Sequence, residues 1–213
     1  IVEKRIKTPR EDDRGTNQAI CKRVSLAETA IGQKGSVGIG MPGSLSPRTG
    51  FVQNANSTWL NHKPFQQDLV NAMDREIRLA NDANCFALSE AHDGPGATAA
   101  SVFGVILGTG CGGGLVFGGR LIDGPLGIGG EWGHNPRPWP RADEFPGPQC
   151  YCGLHGCIET WLSGPGLARD HRQAHGLDLE AVAVVQRAEL GDTRAAATLQ
   201  RYLDRMARAL ASI

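Results

Sequence analysis

The sequence lacks a net charge, a long apolar run and a visible secretory signal, and each absence excludes a class of protein. Lysine and arginine number 22, as do aspartate and glutamate, so no global field draws the chain toward nucleic acid or a membrane. No apolar run approaches the ~20 residues that a membrane-spanning helix requires. No signal-peptide pattern opens the chain. We therefore expect no nucleic-acid partner and no membrane partner.

Both ends of the chain interrupt regular patterns. Residues 1–6 have the pattern of a strand already under way, and an apolar helical run from Tyr202 is still in progress at Ile213. We therefore expect these 213 residues to be a fragment of a longer protein.

Strand, polar loop and helix alternate along the chain, which is typical of an α/β protein whose ligands gather at strand ends. The patterns predict helices over 17–31, 65–73 and 83–91, a mostly helical region from Gly164 onward, and strands over 37–41, 77–80, 101–107 and 115–117. Gly94-Pro95-Gly96 breaks this alternation. We predict a hinge there, between an N-terminal lobe over 1–95 and a C-terminal lobe over 96–213.

Half of the six cysteines, Cys150, Cys152 and Cys157, lie within eight residues, and His134 precedes them. Three thiolates and one imidazole form a closed tetrahedral zinc set. A disulfide or scattered buried thiols are the alternatives, but Cys150 and Cys152 are awkwardly close for pairing, and one cysteine would be left over. Because four protein ligands leave no open position, we predict a structural zinc ion that anchors a loop. Thiols used in this way fit a reducing compartment, so we expect a cytoplasmic protein.

The glycine run Gly108–Gly114, which includes Thr109 and Cys111, lies between two apolar segments. Bare amides at such a turn can point at an anion, and missing side chains let phosphate approach closely. The run is neither a Walker loop, since no lysine follows, nor a dinucleotide fingerprint, since a strand comes next. A glycine hairpin without any ligand is equally consistent with the pattern. Cys111 fits a small packing residue better than a nucleophile.

Two groups of polar residues are candidates for recognising a ligand. Asp82 follows Asn81 at the end of a predicted strand, where it can accept from a ligand hydroxyl or simply cap the next helix. Glu131 and Glu159 flank the predicted zinc ligand His134 and its cysteines. Two ionised carboxylates beside one anchored loop suit a polyol, because they accept hydrogen bonds from adjacent hydroxyls. Solvated surface glutamates are the alternative.

Taken together, these residues resemble the ROK family of bacterial sugar kinases and sugar-responsive repressors, over essentially the whole chain. The matching segments are Gly108–Gly114, Gly130–His134, Cys150–Glu159, Asn81–Asn84 and Met41–Gly43. Within the family, Val52–Leu60 and Glu131–Pro136 look most like the bacterial fructokinase (manno-fructokinase) branch.

The resemblance implies an actin-like (ribonuclease H-like) ATPase fold, with two lobes around a central cleft that binds a hexose and ATP, and a structural zinc loop. Asp82 would be the general base, taking the proton of a sugar hydroxyl as it attacks the γ-phosphate of MgATP. The other implied roles are sugar binding for Asn81, Glu131, His134, Glu159, Gly43 and Asn56, contact with the ATP phosphates for Gly108, Thr109 and Gly110, and zinc binding for His134, Cys150, Cys152 and Cys157. His134 would also touch the sugar through its other ring nitrogen.

The implied reaction is phosphorylation of D-fructose to D-fructose 6-phosphate by a homodimer that uses ATP, Mg²⁺ and Zn²⁺. The family's opening Asp-x-Gly-Gly-Thr loop and its later adenosine-binding segment are absent from these residues, which fits a chain without its two ends. A sugar-sensing repressor of the same family is the main alternative, and a zinc-stapled assembly domain is the third. The presence of Asp82 favours the kinase.

Overall fold

The computed structural model describes residues 3, 5–6, 9 and 11–213, which form an α/β fold. The helices are α1 (Asp13–Ile31), α2 (Phe65–Met73), α3 (Asp82–His92), α4 (Ile158–Leu162), α5 (Gly164–His175), α6 (Ala181–Glu189) and α7 (Thr193–Leu210). The strands are β1 (Val37–Met41), β2 (Ser44–Leu45), β3 (Val52–Gln53), β4 (Ile77–Asn81), β5 (Ser101–Leu107), β6 (Cys111–Phe117) and β7 (Arg120–Leu121). Short 3₁₀ turns cover Thr58–Leu60 and Ala142–Glu144. The strand predicted at residues 1–6 includes positions outside the described residues.

The periodic segments fold as predicted, and the differences lie at their ends. Helix α1 begins at Asp13 rather than at residue 17, because the Asp12 carboxylate accepts a hydrogen bond from Gly15 N and caps it. The prediction that the strand after the glycine run begins at residue 115 is wrong, since β6 begins at Cys111. A side chain at Gly113 would lie 2.9 Å from the Phe103 ring, so this part of the run is glycine because it packs within a sheet.

The chain divides into two compact units. The first comprises residues 1–102 and 115–129, and the second comprises 103–114 and 130–213. Gly94–Gly96 lies inside the first unit and ends α3, where Gly94 N donates to Ser89 O and Gly96 N to Glu90 O. The compact units are therefore not the ranges 1–95 and 96–213, and the hinge and the two lobes around a cleft stay predictions.

In the first unit, strands β1 and β4 pair in parallel, from Val37 opposite Ile77 to Met41 opposite Asn81. Strands β2 and β3 form a short antiparallel pair. A buried apolar core lies between these strands and α2: Met41, Val52, Ala55, Leu60, Phe65, Leu69 and Ile77. Because β1 and β4 run in the same direction, their carboxyl ends bring Met41 and Asn81 side by side.

The second unit consists largely of helices α4 to α7. One core cluster contains Cys111, Trp132, Ile158, Leu162 and Ala209, and a second contains Leu167, Val184 and Ala195. Strand β6 lies between β5 and β7 in a three-stranded sheet, and the division between the units falls within β5 and β6. The long segment from Gly130 to Cys157 has little regular structure.

No helix among the described residues combines the length and the apolar character needed to cross a membrane.

Candidate active site and metal cluster

Asn81, the last residue of β4, is held by its own side chain. Its Oδ1 accepts from Asn84 N at 3.0 Å, which makes it the N-cap of α3, and its Nδ2 donates to Gly43 O at 3.0 Å. The side chain is buried, with 8% of the residue exposed. Asn81 therefore joins the start of α3 to the turn that follows β1.

Asp82, the predicted base, is exposed at the first position of α3. The N-cap of the helix is Asn81, not Asp82. Asp82 Oδ1 accepts from Ala83 N at 2.8 Å. The site thus presents an exposed acceptor at the carboxyl end of a strand.

Gly43 adopts a left-handed backbone, with φ of +73°, in the turn after β1. A Cβ there would lie 2.6 Å from Ala55 N, so only glycine fits. The turn therefore holds the Gly43 carbonyl beside Asn81.

Asn56 is exposed and lines a pocket of about 1000 Å³ in the first unit, together with Pro42 and Trp59. Gly40 also lines this pocket, and a Cβ on it would lie 3.8 Å from Asp82 Cα. The pocket therefore lies at the carboxyl end of β1.

Asn61 positions the loop that contains Asn56, a role that the sequence analysis did not identify. Its Oδ1 accepts from Ala55 N at 2.9 Å and its Nδ2 donates to Ala55 O at 3.0 Å. In the sequence Asn61 has the appearance of an ordinary turn residue, so no local signal could have indicated this pair of hydrogen bonds.

In the second unit, the glycine run forms a tight turn between β5 and β6. Gly108 N donates to Gly110 O at 2.9 Å, and Thr109 is exposed at the tip. Cys111 begins β6 and is buried, and burial raises the pKa of its thiol to about 12. Cys111 is therefore a protonated packing residue at neutral pH, as expected from the sequence.

The four predicted metal ligands converge. The ligand atoms of His134, Cys150, Cys152 and Cys157 all lie within 4.8 Å of one another. Cys152 Sγ and Cys157 Sγ are 3.6 Å apart, and Cys150 Sγ lies 3.5 Å from His134 Nδ1. Ideal tetrahedral zinc bonds would separate two sulfurs by about 3.8 Å and a sulfur from a nitrogen by about 3.5 Å. The donor set and its spacing therefore fit a zinc ion.

The second ring nitrogen of His134, expected at the sugar, has a partner that the sequence did not indicate. His134 Nε2 lies 2.9 Å from the Tyr151 hydroxyl. The Tyr151 ring is largely exposed, yet desolvation at its hydroxyl, with the charges of Glu159, Cys150 and Glu131, raises its pKa to about 12. Tyr151 therefore stays protonated, and its hydroxyl orients the imidazole.

Both predicted carboxylates lie near this cluster. Glu131 and Glu159 are half-buried, and their charges act on the same Tyr151 hydroxyl. Glu159 Oε2 also accepts from Cys111 N at 2.9 Å, which connects α4 to the glycine turn. The second unit thus brings Glu131, His134 and Glu159 together, as the sequence predicted.

Known proteins resemble the chain along its length. The ROK family model matches residues 1–213. N-acetyl-D-glucosamine kinases of Escherichia coli O127:H6 and Shigella flexneri are 43% identical over 215 residues, covering 99% of this chain and 71% of each relative.

Solved structures agree with these matches. The ROK hexokinase of Thermus thermophilus is 32% identical with a TM-score of 0.82, over 97% of this chain and 67% of that one. A ROK family glucokinase from Streptomyces griseus, in complex with glucose and AMPPNP, is 27% identical with a TM-score of 0.75, over 97% and 69%. A ROK family transcriptional regulator, a homologue of the E. coli MLC protein, is 21% identical with a TM-score of 0.80 over 99% and 55%, a likeness in fold alone.

Proposed function

The chain belongs to the ROK family, and we propose that the protein phosphorylates a hexose with ATP. One observation carries the proposal: Asp82 is exposed at the junction of β4 and α3, while Asn81 performs the capping. A carboxylate placed in this way can take the proton of a sugar hydroxyl, which is the main chemical task that phosphoryl transfer leaves to a side chain.

The remaining roles follow from the chemistry of each group. Carboxylate and amide groups suit sugar hydroxyls, and we assign sugar binding to Asn81, Glu131, His134, Glu159, Gly43 and Asn56. Backbone amides of the turn suit phosphate oxygens. We therefore assign the phosphates of ATP to Gly108, Thr109 and Gly110, with Mg²⁺ neutralising their charge.

We propose that His134, Cys150, Cys152 and Cys157 hold a structural zinc ion. Burial raises the pKa of Cys157 to about 12, so a bound cation is needed to keep it as a thiolate. Such an ion would anchor the irregular segment from Gly130 to Cys157, which carries Glu131 at its start.

We propose D-fructose as the sugar, yielding D-fructose 6-phosphate, on the resemblance of Val52–Leu60 and Glu131–Pro136 to the fructokinase branch. N-acetyl-D-glucosamine is the second candidate, because the kinases of that sugar are 43% identical. The two sugars differ in bulk, since only the second carries an acetamido group. We also propose that the protein is a homodimer. Light scattering of the purified protein would test this by measuring its molar mass in solution.

The test is ATP-dependent phosphorylation of fructose, mannose, glucose and N-acetyl-D-glucosamine by the protein with both ends of the family pattern present. Asp82→Asn should lower kcat by about 100- to 10,000-fold, the usual contribution of a general base. Asp93→Asn, at the opposite end of α3, should keep full activity. Turnover by Asp82→Asn at the wild-type rate would refute the base assignment. Binding of a sugar without phosphorylation of any would favour the sensor instead.

A further inference from the structure

The Glu159 side chain reaches from α4 to the glycine turn. Its Oε2 accepts from Cys111 N, the first amide after the turn, at 2.9 Å. A Cβ at Gly110 would lie 2.5 Å from this same oxygen. The carboxylate therefore occupies the space that a side chain at position 110 would fill.

This contact explains why position 110 is glycine without invoking the close approach of a phosphate. At Gly108 a Cβ would have no described atom within 4 Å, so that position has room for a side chain. At Gly110 the obstacle is the far end of Glu159, a flexible group that can swing away. An alanine at 110 should thus displace the carboxylate without disrupting the backbone.

The main chain at Glu159 is fixed by hydrogen bonds to the neighbouring backbone. Ile158 N donates to Asn135 O at 3.0 Å, and Glu159 N donates to Gly133 O at 2.8 Å. The other side of the turn is also tied, because Gly164 N donates to Gly108 O at 2.7 Å. The turn is therefore held at Gly108 by the start of α5 and at Cys111 by Glu159.

We propose that Glu159 is a positioning residue for the turn Gly108–Gly110, holding the Thr109 and Gly110 amides in the orientation that receives nucleotide phosphate. This inference rests on the proposed function, since it takes the turn as the phosphate site. Oε2 holds the turn, and a carboxylate accepts up to about four hydrogen bonds, so the group retains capacity for a sugar hydroxyl. On this proposal, one side chain takes part in both substrate sites.

The first test measures binding of Mg²⁺-AMPPNP by calorimetry without sugar. Glu159→Ala and Gly110→Ala should each weaken binding about tenfold, as expected for a lost hydrogen bond to a charged group. Glu159→Gln should stay within about twofold of wild type, because its amide oxygen can still accept from Cys111 N. Gly35→Ala, another glycine with no described atom within 4 Å of its Cβ, should bind as wild type does.

The double variant Gly110→Ala/Glu159→Ala sharpens this test. If alanine at 110 acts only by displacing the carboxylate, the double variant should bind no more weakly than Glu159→Ala alone. The inference would be overturned if the double variant lost as much affinity as the product of the two single losses. Wild-type affinity in Glu159→Ala, or a tenfold loss of affinity in Glu159→Gln, would also overturn it.

Hydrogen exchange at the Cys111 amide supplies a readout that does not depend on function. The amide should exchange at least tenfold faster in Glu159→Ala and Gly110→Ala than in wild type. Unchanged protection in both variants would overturn the positioning role. If the wild-type protein binds no nucleotide, the proposed function and the phosphate role of the turn are both overturned. If nucleotide binds equally well with and without the Glu159 side chain, this inference alone is overturned.

Discussion

Glu144 is a buried carboxylate in the second unit, and we predict that Glu144→Gln destabilises the protein strongly at neutral pH and weakly in acid. Its oxygens accept from Arg137 at 2.5 Å, from Arg205 at 2.8 Å and from Arg141 N at 2.9 Å. The side chains of Glu144 and Arg205 are each 7% exposed and that of Arg137 is 1% exposed. Glutamine keeps the shape of the side chain but removes the charge that pairs with the guanidinium groups of Arg137, Arg205 and Arg208.

The size of the effect follows from the proton affinity of the carboxyl group. Burial alone raises the pKa of Glu144, but the hydrogen bonds from Arg141 N, Arg205 and Arg137 outweigh it and lower the pKa from 4.5 to about 2. That difference corresponds to about 3 kcal/mol at pH 7, at about 1.4 kcal/mol per tenfold change in affinity. Because the folded-state pKa is the lower one, this stability is present above about pH 4.5 and is lost as the pH falls toward 2.

The assay is urea unfolding of wild type and Glu144→Gln at several pH values. The difference in unfolding free energy should be about 3 kcal/mol at pH 7, about 2.5 at pH 4 and about 1.5 at pH 3. Release of any zinc in acid affects both proteins and cancels in this difference. Glu76→Gln is the control, because Glu76 and its partner Arg78 are largely exposed and should contribute little.

Two outcomes would refute this reasoning. A cost below about 1 kcal/mol at pH 7 would show that the arginines do not need the charge. A cost that is equal at pH 7 and pH 3 would show that lost packing, and not lost charge, destabilises the variant.

Two further predictions concern the metal cluster and the turn after β1. Cys150→Ser should lose the bound zinc that metal analysis detects and should melt several degrees lower, whereas Cys21→Ser should keep its zinc; full zinc content in Cys150→Ser would contradict the ligand set. Gly43→Ala should lower the unfolding free energy by about 1–3 kcal/mol, because alanine is strained at a φ of +73° and its Cβ would approach Ala55 N to 2.6 Å. Urea unfolding beside Gly35→Ala measures this, and equal stability of the two variants would contradict it.

The regular elements were predictable because their signals are local. Helix α2 and strand β5 begin and end where periodicity placed them, since apolar spacing and flanking proline or glycine act within a few residues. The beginning of β6 was not predictable. A run of three glycines has no side-chain pattern, and its pairing as a strand depends on β5 and β7 on either side of it.

In the candidate site, too, some features were predictable from the sequence and others were not. The spacing of Cys150, Cys152 and Cys157 sufficed to predict that they converge, because a chain that short and rich in glycine has few ways to separate them. The partner of His134 Nε2 was not predictable, since nothing in the sequence distinguishes Tyr151 from any other exposed tyrosine. The same holds for Asn61, whose bonds to Ala55 depend on the path of the loop.

The sequence by itself determined the family and the α/β order of the elements, and it supplied the candidate residues for the proposed chemistry, because these depend on residue type and short spacing. Only the tertiary structure decided which of these residues contact one another and which stay exposed. It made Asn81 the cap and left Asp82 exposed, and it placed Glu159 against Cys111, 48 residues away. Such contacts join distant parts of the chain and depend on positions within a few tenths of an ångström, which only the packed backbone specifies.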